Sequence, residues 1–356
     1  MADIDQHKFT PPANWPRFTT IDAHTAGEPL RVIISGWPEI PGDTILAKRR
    51  YAREHHDHFR KALMLEPRGH ADMYGCLLTE PVTPDGDVGV LFMHNEGYST
   101  MCGHGIIGLV KVGIEVGLLP HHGPENPIVK IDTPAGRVTA TAHFNEDGGV
   151  SNVSFLNVAS FLLERDLIVQ VEGLGEVTCD IGYGGAFYAY LWADQIGVQV
   201  VPEQHGVLID IAMRIKRAVM EQYEIVHPGD GAGAGAGAND DLNYLYGTII
   251  CEPAASPLHS RNICVFANGE VDRSPTGTGV SGRVAIHHAR CELEIGASIT
   301  IASLIGTTFD VRIVGETTLG VVPAVIPEVT GRAHITGHHE FFIDPDDPLC
   351  EGVLLR

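Results

Sequence analysis

Residues 100–119 read TMCGHGIIGLVKVGIEVGLL, a cysteine flanked by glycines and leading straight into a long apolar run. Apolar residues recur every three to four positions from Gly103 to Leu119, which predicts a buried helix with Cys102 at its entrance. A thiol there lies near unpaired backbone N–H groups and the positive end of the helix dipole. Both favour a thiolate and lower the pKa from its usual value of about 8.5. Glycines beyond the cysteine let a ligand's carboxylate come close to the backbone. Taken alone, Cys102 is better explained as a small core residue, because free Cys is among the most buried types.

A second stretch has the same character. Residues 272–279, DRSPTGTG, lead into VSGRVAIHHAR, and the spacing predicts a helix from Gly277 to Arg290 with Ser274 as cap and Pro275 in its first turn. Its glycines again expose N–H groups toward an anion. Gly277 to Gly282 also spells G-x-G-x-x-G, but a dinucleotide site needs that motif directly after a buried strand. Here the apolar run ICVFA ends at Ala267 and polar residues fill the gap.

Around the two entrances, short β-like runs punctuated by Gly and Pro dominate, among them Arg31 to Ser35, Val88 to Phe92, Val153 to Phe155 and Asn262 to Phe266. A further helical pattern covers Gln204 to Tyr223, and the fold class is α+β. The halves echo each other weakly: IDAHTAGEPLRVII and MCGHGIIGLV in the first, CDIGYGGAFYAYLW and SPTGTGVSGRV in the second. The Gly231 to Ala238 tract of alternating Gly and Ala reads as a surface loop.

Composition narrows the function. The 356 residues, 44% hydrophobic, suffice for two domains, and a net charge of −21 without a basic stripe repels nucleic acid and anionic membranes. The polar start MADIDQHKFTPPANW has no apolar core of a leader, and no apolar run approaches bilayer length, so the expected compartment is the cytoplasm. Seven scattered cysteines without a C-x-x-C pair argue against a disulfide framework or a zinc site. The cluster His55, His56, Asp57, His58 reads as a solvated helical face, since adjacent residues point in different directions. His287/His288 and His338/His339 read the same way, and Tyr183 to Tyr188 read as core strand.

Met-Cys-Gly-His at 101–104 and Asp-Arg-Ser-Pro-Thr-Gly-Thr-Gly at 272–279 together resemble the two signature motifs of the proline racemase family. The resemblance extends to IDAHTAGEPLRV near the start, RGHADMYG at 68–75, YGGAFYA at 183–189 and ITGHHEFFIDPDDP near the end, in order along the chain. It implies a diaminopimelate epimerase-like fold: two pseudo-symmetric domains, each a curled sheet around a central helix, with the active site in the cleft between. The expected division is 17–177 and 178–334, with 335–356 returning to the first domain. In the family's racemases and epimerases each motif supplies a cysteine, one on either side of the substrate's α-carbon. Here Thr276 stands at the second position, and a hydroxyl is far less acidic than a thiol.

This Cys/Thr combination resembles the family's members that dehydrate trans-3-hydroxy-L-proline. The resemblance then implies Cys102 as proton acceptor, backbone around Gly103, His104, Gly277 and Thr278 holding the carboxylate, and His104 and Asp272 at the ring nitrogen. It implies no cofactor and no metal, a proline-like small molecule as partner, and gives a family-level hint of a homodimer. The alternatives are a proline or hydroxyproline 2-epimerase that tolerates Thr276 and, more remotely, a non-catalytic binder of proline-like ligands.

Overall fold

The computed structural model describes residues 9–119, 126–231 and 242–355. The glycine/alanine tract from 232 onward lies outside the described residues. Five α-helices are seen among the described residues: α1 (Ile45–His55), α2 (Asp57–Met64), α3 (Gly103–Glu115), α4 (His205–Gln222) and α5 (Gly277–Ala289). All four β-like runs read from the sequence fall inside strands, Glu28–Ser35, Val88–His94, Val150–Leu156 and Ser260–Phe266.

Strand pairing repeats itself. In the first half, Ala333–Phe342 and Arg17–Thr25 pair antiparallel, as do Arg17–Thr25 and Glu28–Ser35. Glu28–Ser35 then runs parallel to Tyr74–Thr79, which is antiparallel to Val88–His94. Val88–His94 is parallel to Ile128–Thr133, and two antiparallel pairings through Gly136–Phe144 end at Val150–Leu156. The second half gives the same succession of antiparallel and parallel neighbours from Phe161–Val171 to Val322–Gly331. Helices occupy equivalent crossovers: α1 and α2 correspond to α4, and α3 to α5. Val322–Gly331 pairs with Val150–Leu156 and joins the halves.

The expected boundary after residue 177 falls inside a hairpin. Phe161–Val171 pairs with Gly175–Tyr183, and Phe161, Val169, Val177 and Ile181 share the core that packs against α4. Pairing and packing therefore put the change of half before Phe161. Residues 333–342 lie beside Arg17–Thr25, and Val353 bridges Glu66, so the chain's end runs back over the first half.

Helices α3 and α5 are buried along nearly their whole length and share one core, which explains why neither shows a polar face. Helices α1 and α2 cover a separate core on the outside of the first half, with Phe18, Leu63 and Leu91 at its centre. No helix among the described residues is long and apolar enough to cross a membrane.

Candidate active site

The two buried helices begin against each other. A Cβ added to Gly103 would lie 2.5 Å from the Gly277 Cα, and one added to Gly277 would lie 2.6 Å from the Gly103 Cα. No side chain fits at either position, so both must be glycine for the entrances to meet. Cys102 is the N-cap of α3, with extended backbone (φ −147°, ψ 111°), and its Sγ accepts from the Gly105 N–H at 3.2 Å. Thr276 is the N-cap of α5 and holds φ at +69°, a strained conformation for a threonine. The first helical bonds run from Ile106 N to Cys102 O and from Val280 N to Thr276 O. The N–H groups of Gly103, His104, Gly277 and Thr278 precede them and have no partner within their helices.

The space between the two helix starts is a small, nearly closed cavity of about 20 Å³. All seven residues singled out in the sequence line it: Cys102, Gly103, His104, Asp272, Thr276, Gly277 and Thr278. Five more complete the wall, Tyr74, Met101, Tyr188, Tyr246 and Phe266. Tyr188 Oη lies 2.7 Å from Thr278 Oγ1, and Tyr74 Oη lies 2.5 Å from Ser99 Oγ, which fixes both rings. Thr276 Oγ1 is buried and makes no hydrogen bond of normal geometry. A polar atom left so is costly unless a ligand completes it.

His104 lies against the thiol, its Nδ1 3.2 Å from Cys102 Sγ and 3.8 Å from Asp272 Oδ2. Burial pushes His104 below the usual imidazole range, although the Asp272 carboxylate and a hydrogen bond to the Pro29 carbonyl oppose this. The ring therefore rests neutral. Burial, and then the negative charge of Asp272, push the Cys102 thiol well above its ordinary value, while the Gly105 N–H pulls it down. The sequence reading weighed only the helix terminus and gave the opposite sign. Desolvation outweighs it because Cys102 is 5% exposed and its nearest charge is negative.

Behind the cavity, Glu28 is fully buried and held well above the carboxylate range by burial and by Asp272. Its Oε2 accepts from the Arg273 backbone N–H at 2.7 Å. The reading of Ser274 as cap is corrected: Thr276 caps α5, Pro275 precedes the helix, and Ser274 Oγ accepts from the Thr276 N–H at 3.1 Å. His55, His56 and His58 lie at the junction of α1 and α2, and no group of His, Cys, Asp and Glu fit to hold a metal occurs among the described residues. Tyr188, read as core, is buried and also lines the cavity. Tyr246 and Phe266 carried no signal, because a wall drawn from strands that are far apart in the chain has no local spacing. Tyr74 lay within a recognised motif without an assigned role.

The chain matches the family described as proline racemase over residues 20–354. A trans-3-hydroxy-L-proline dehydratase of Colwellia psychrerythraea is 45% identical over 338 residues, covering 95% of this chain and 92% of that one. A 3-hydroxyproline 2-epimerase of Burkholderia multivorans is 44% identical over 339 residues, covering 95% and 98%. The crystal structure of a hydroxyproline epimerase from Agrobacterium vitis with bound trans-4-hydroxy-L-proline superposes with a TM-score of 0.88 at 29% identity, covering 97% of this chain and 96% of that one. The α+β, epimerase-like fold implied by the motifs is thus the fold found. Matched along nearly its whole length in sequence and structure, and carrying both motifs where two buried helices begin, the chain belongs to the proline racemase family.

Proposed function

We propose that the protein dehydrates trans-3-hydroxy-L-proline to pyrroline-2-carboxylate, with Cys102 taking the α-proton and no added cofactor. The observation that carries this reading is the pairing of a thiol with a hydroxyl, Cys102 and Thr276, as N-caps of two helices that start over one small cavity. The substrate's carboxylate accepts from the N–H groups of Gly103 and His104 on one side and Gly277 and Thr278 on the other. Its ring ammonium sits between His104 and Asp272. A protonated ring nitrogen acidifies the α-C–H, and its charge beside Cys102 counters the burial and the Asp272 carboxylate that hold the thiol protonated.

With the ring ammonium in place beside it, the thiol gives up its proton to solvent and the thiolate becomes the base. As the thiolate removes the α-proton, the C–H electron pair forms the Cα–Cβ double bond and the C3–O bond breaks. In the trans substrate the α-hydrogen and the 3-hydroxyl share one ring face. The proton now on Cys102 is therefore on the right side to leave with the hydroxyl as water. The enamine tautomerises to the cyclic imine.

The dehydratase from Colwellia psychrerythraea supports this reading, and the epimerase from Burkholderia multivorans keeps 2-epimerisation as the second one. Dehydration is favoured because a base on the opposite face would have to be the Thr276 hydroxyl, which lacks a thiol's acidity. The net charge of −21 suits a small zwitterionic substrate better than nucleic acid; we read the chain as cytoplasmic from its polar start and lack of long apolar runs, and the family likeness hints at a homodimer. Incubation with trans-3-hydroxy-L-proline should give a product that reacts with o-aminobenzaldehyde. Accumulation of the cis-D epimer without that product would replace dehydration by epimerisation.

A further inference from the structure

A second cleft, of about 210 Å³, lies along the outer flank of α5, lined by Arg283, Trp192, Cys251, Thr178 and Gln195 among others. Arg283 is 4% exposed. Its Nη1 donates to Cys251 Sγ at 2.7 Å and its Nε donates to His287 Nε2 at 3.3 Å, while the guanidinium stacks over Trp192 at 4.8 Å. Its Nη2 is buried without a hydrogen-bond partner, and no carboxylate pairs with Arg283 among the described residues. A buried guanidinium in this condition is strongly unfavourable without an anion.

The acids along the cleft are already engaged. Arg290 binds both Asp180 (2.6 Å) and Asp166 (2.5 Å), and His287 Nδ1 lies 2.6 Å from Glu292 Oε2. Since Nε2 of His287 accepts from Arg283, Nδ1 carries the proton given to Glu292, and the ring is neutral. Burial and the Arg283 charge both push His287 down, which agrees. Cys251 offers no compensating thiolate, because burial pushes it up more than Arg283 pulls it down. The positive charge of Arg283 is left for something outside the chain.

We propose that this cleft is a second ligand site, which takes the carboxylate of a small organic acid on the free edge of Arg283, beside Trp192. Nη2 has no surface open to solvent, so the ligand reaches it as the partly exposed Trp192 side chain moves aside, and Nη1 and Nη2 then offer the paired donors that a carboxylate matches. The site is independent of the catalytic cavity and of the reaction assigned to it.

Titration of the full-length protein with acetate, followed by tryptophan fluorescence and by calorimetry, tests this. The expected result is a saturable emission change below about 50 mM, past the millimolar range of a single carboxylate contact. Chloride should fail to produce it, Trp192→Phe should lose the emission change but keep the heat, and Arg283→Met should weaken binding at least about tenfold. Arg283→Met should also melt no lower than wild type without acetate, because it removes an uncompensated buried charge. Arg283→Lys keeps the charge but not the fork, and should weaken acetate at least about tenfold even if the Met variant does not fold. No saturation in wild type, or equal affinity in the folded Arg283→Met or Arg283→Lys protein, would overturn the proposal.

Discussion

At Cys102 two effects of opposite sign meet, and their order sets how the thiol works. The helix entrance supplies the Gly105 N–H at 3.2 Å, which favours the thiolate, while burial and the Asp272 carboxylate disfavour it and prevail. The first effect is legible in sequence, because a cysteine before a glycine-rich helix is a local pattern. The second is not, because Asp272 comes from 170 residues away and reaches the thiol only through the fold. Asp272→Asn removes a negative charge that raises the thiol's pKa, so that pKa should fall. The pH midpoint for alkylation of Cys102 in the free protein, read by mass spectrometry of its peptide, should move to lower pH than in wild type. A midpoint unmoved or moved upward would show that Asp272 does not act on the thiol. On the proposed role of Asp272 at the ring ammonium, the same variant should also bind substrate poorly.

The elements that matter most are α3 and α5, whose starts were read from the sequence at Gly103 and Gly277 and are found there. Their geometry was not readable, because only the fold shows that the two glycines touch. Glycine rows are ambiguous in sequence: the same residues would serve a phosphate loop, a packed helix pair or a flexible turn. Contact between the backbones decides it. Gly103→Ala would drive a Cβ into the Gly277 backbone and push the entrances apart. Overpacking of this kind costs about 1–3 kcal/mol, and a shift of about 1 Å in a reacting group costs about a hundredfold in rate. The variant should therefore fold, melt lower, and lose activity by about two orders of magnitude. Wild-type activity in a folded Gly103→Ala protein would show that the carboxylate cradle does not depend on this contact.

Across the whole molecule, the internal echo in the sequence corresponds to a repeat in strand order, with helices at equivalent crossovers. A weak echo sufficed because the repeated features, a β segment with a Gly turn and a Gly-rich helix entrance, are those the fold cannot vary. The return of the last strand to the first half was implied by the family likeness and not by any local pattern.

The halves close over the cavity through ties between them. Arg273 reaches Glu28 Oε2 at 3.3 Å and the Asp72 carbonyl at 3.2 Å, and buried His94 lies 3.1 Å from Glu270. A substrate must enter through this closure, so loosening it should alter binding more than chemistry. Arg273→Ala should raise KM several-fold with a smaller change in kcat, as steady-state kinetics on trans-3-hydroxy-L-proline would register. An equal fall in kcat and kcat/KM would instead place Arg273 in the chemical step.

All of this turns on whether Cys102 removes the α-proton. The most direct measurement is turnover of trans-3-hydroxy-L-proline by Cys102→Ser, made alongside its binding of pyrrole-2-carboxylate, a planar mimic of the α-carbanion. The expected result is near-complete loss of pyrroline-2-carboxylate formation with binding of the mimic retained, since the serine hydroxyl keeps the shape but not the acidity. Substantial dehydration by a Cys102→Ser protein that still binds the mimic would contradict the assignment of Cys102 as the base.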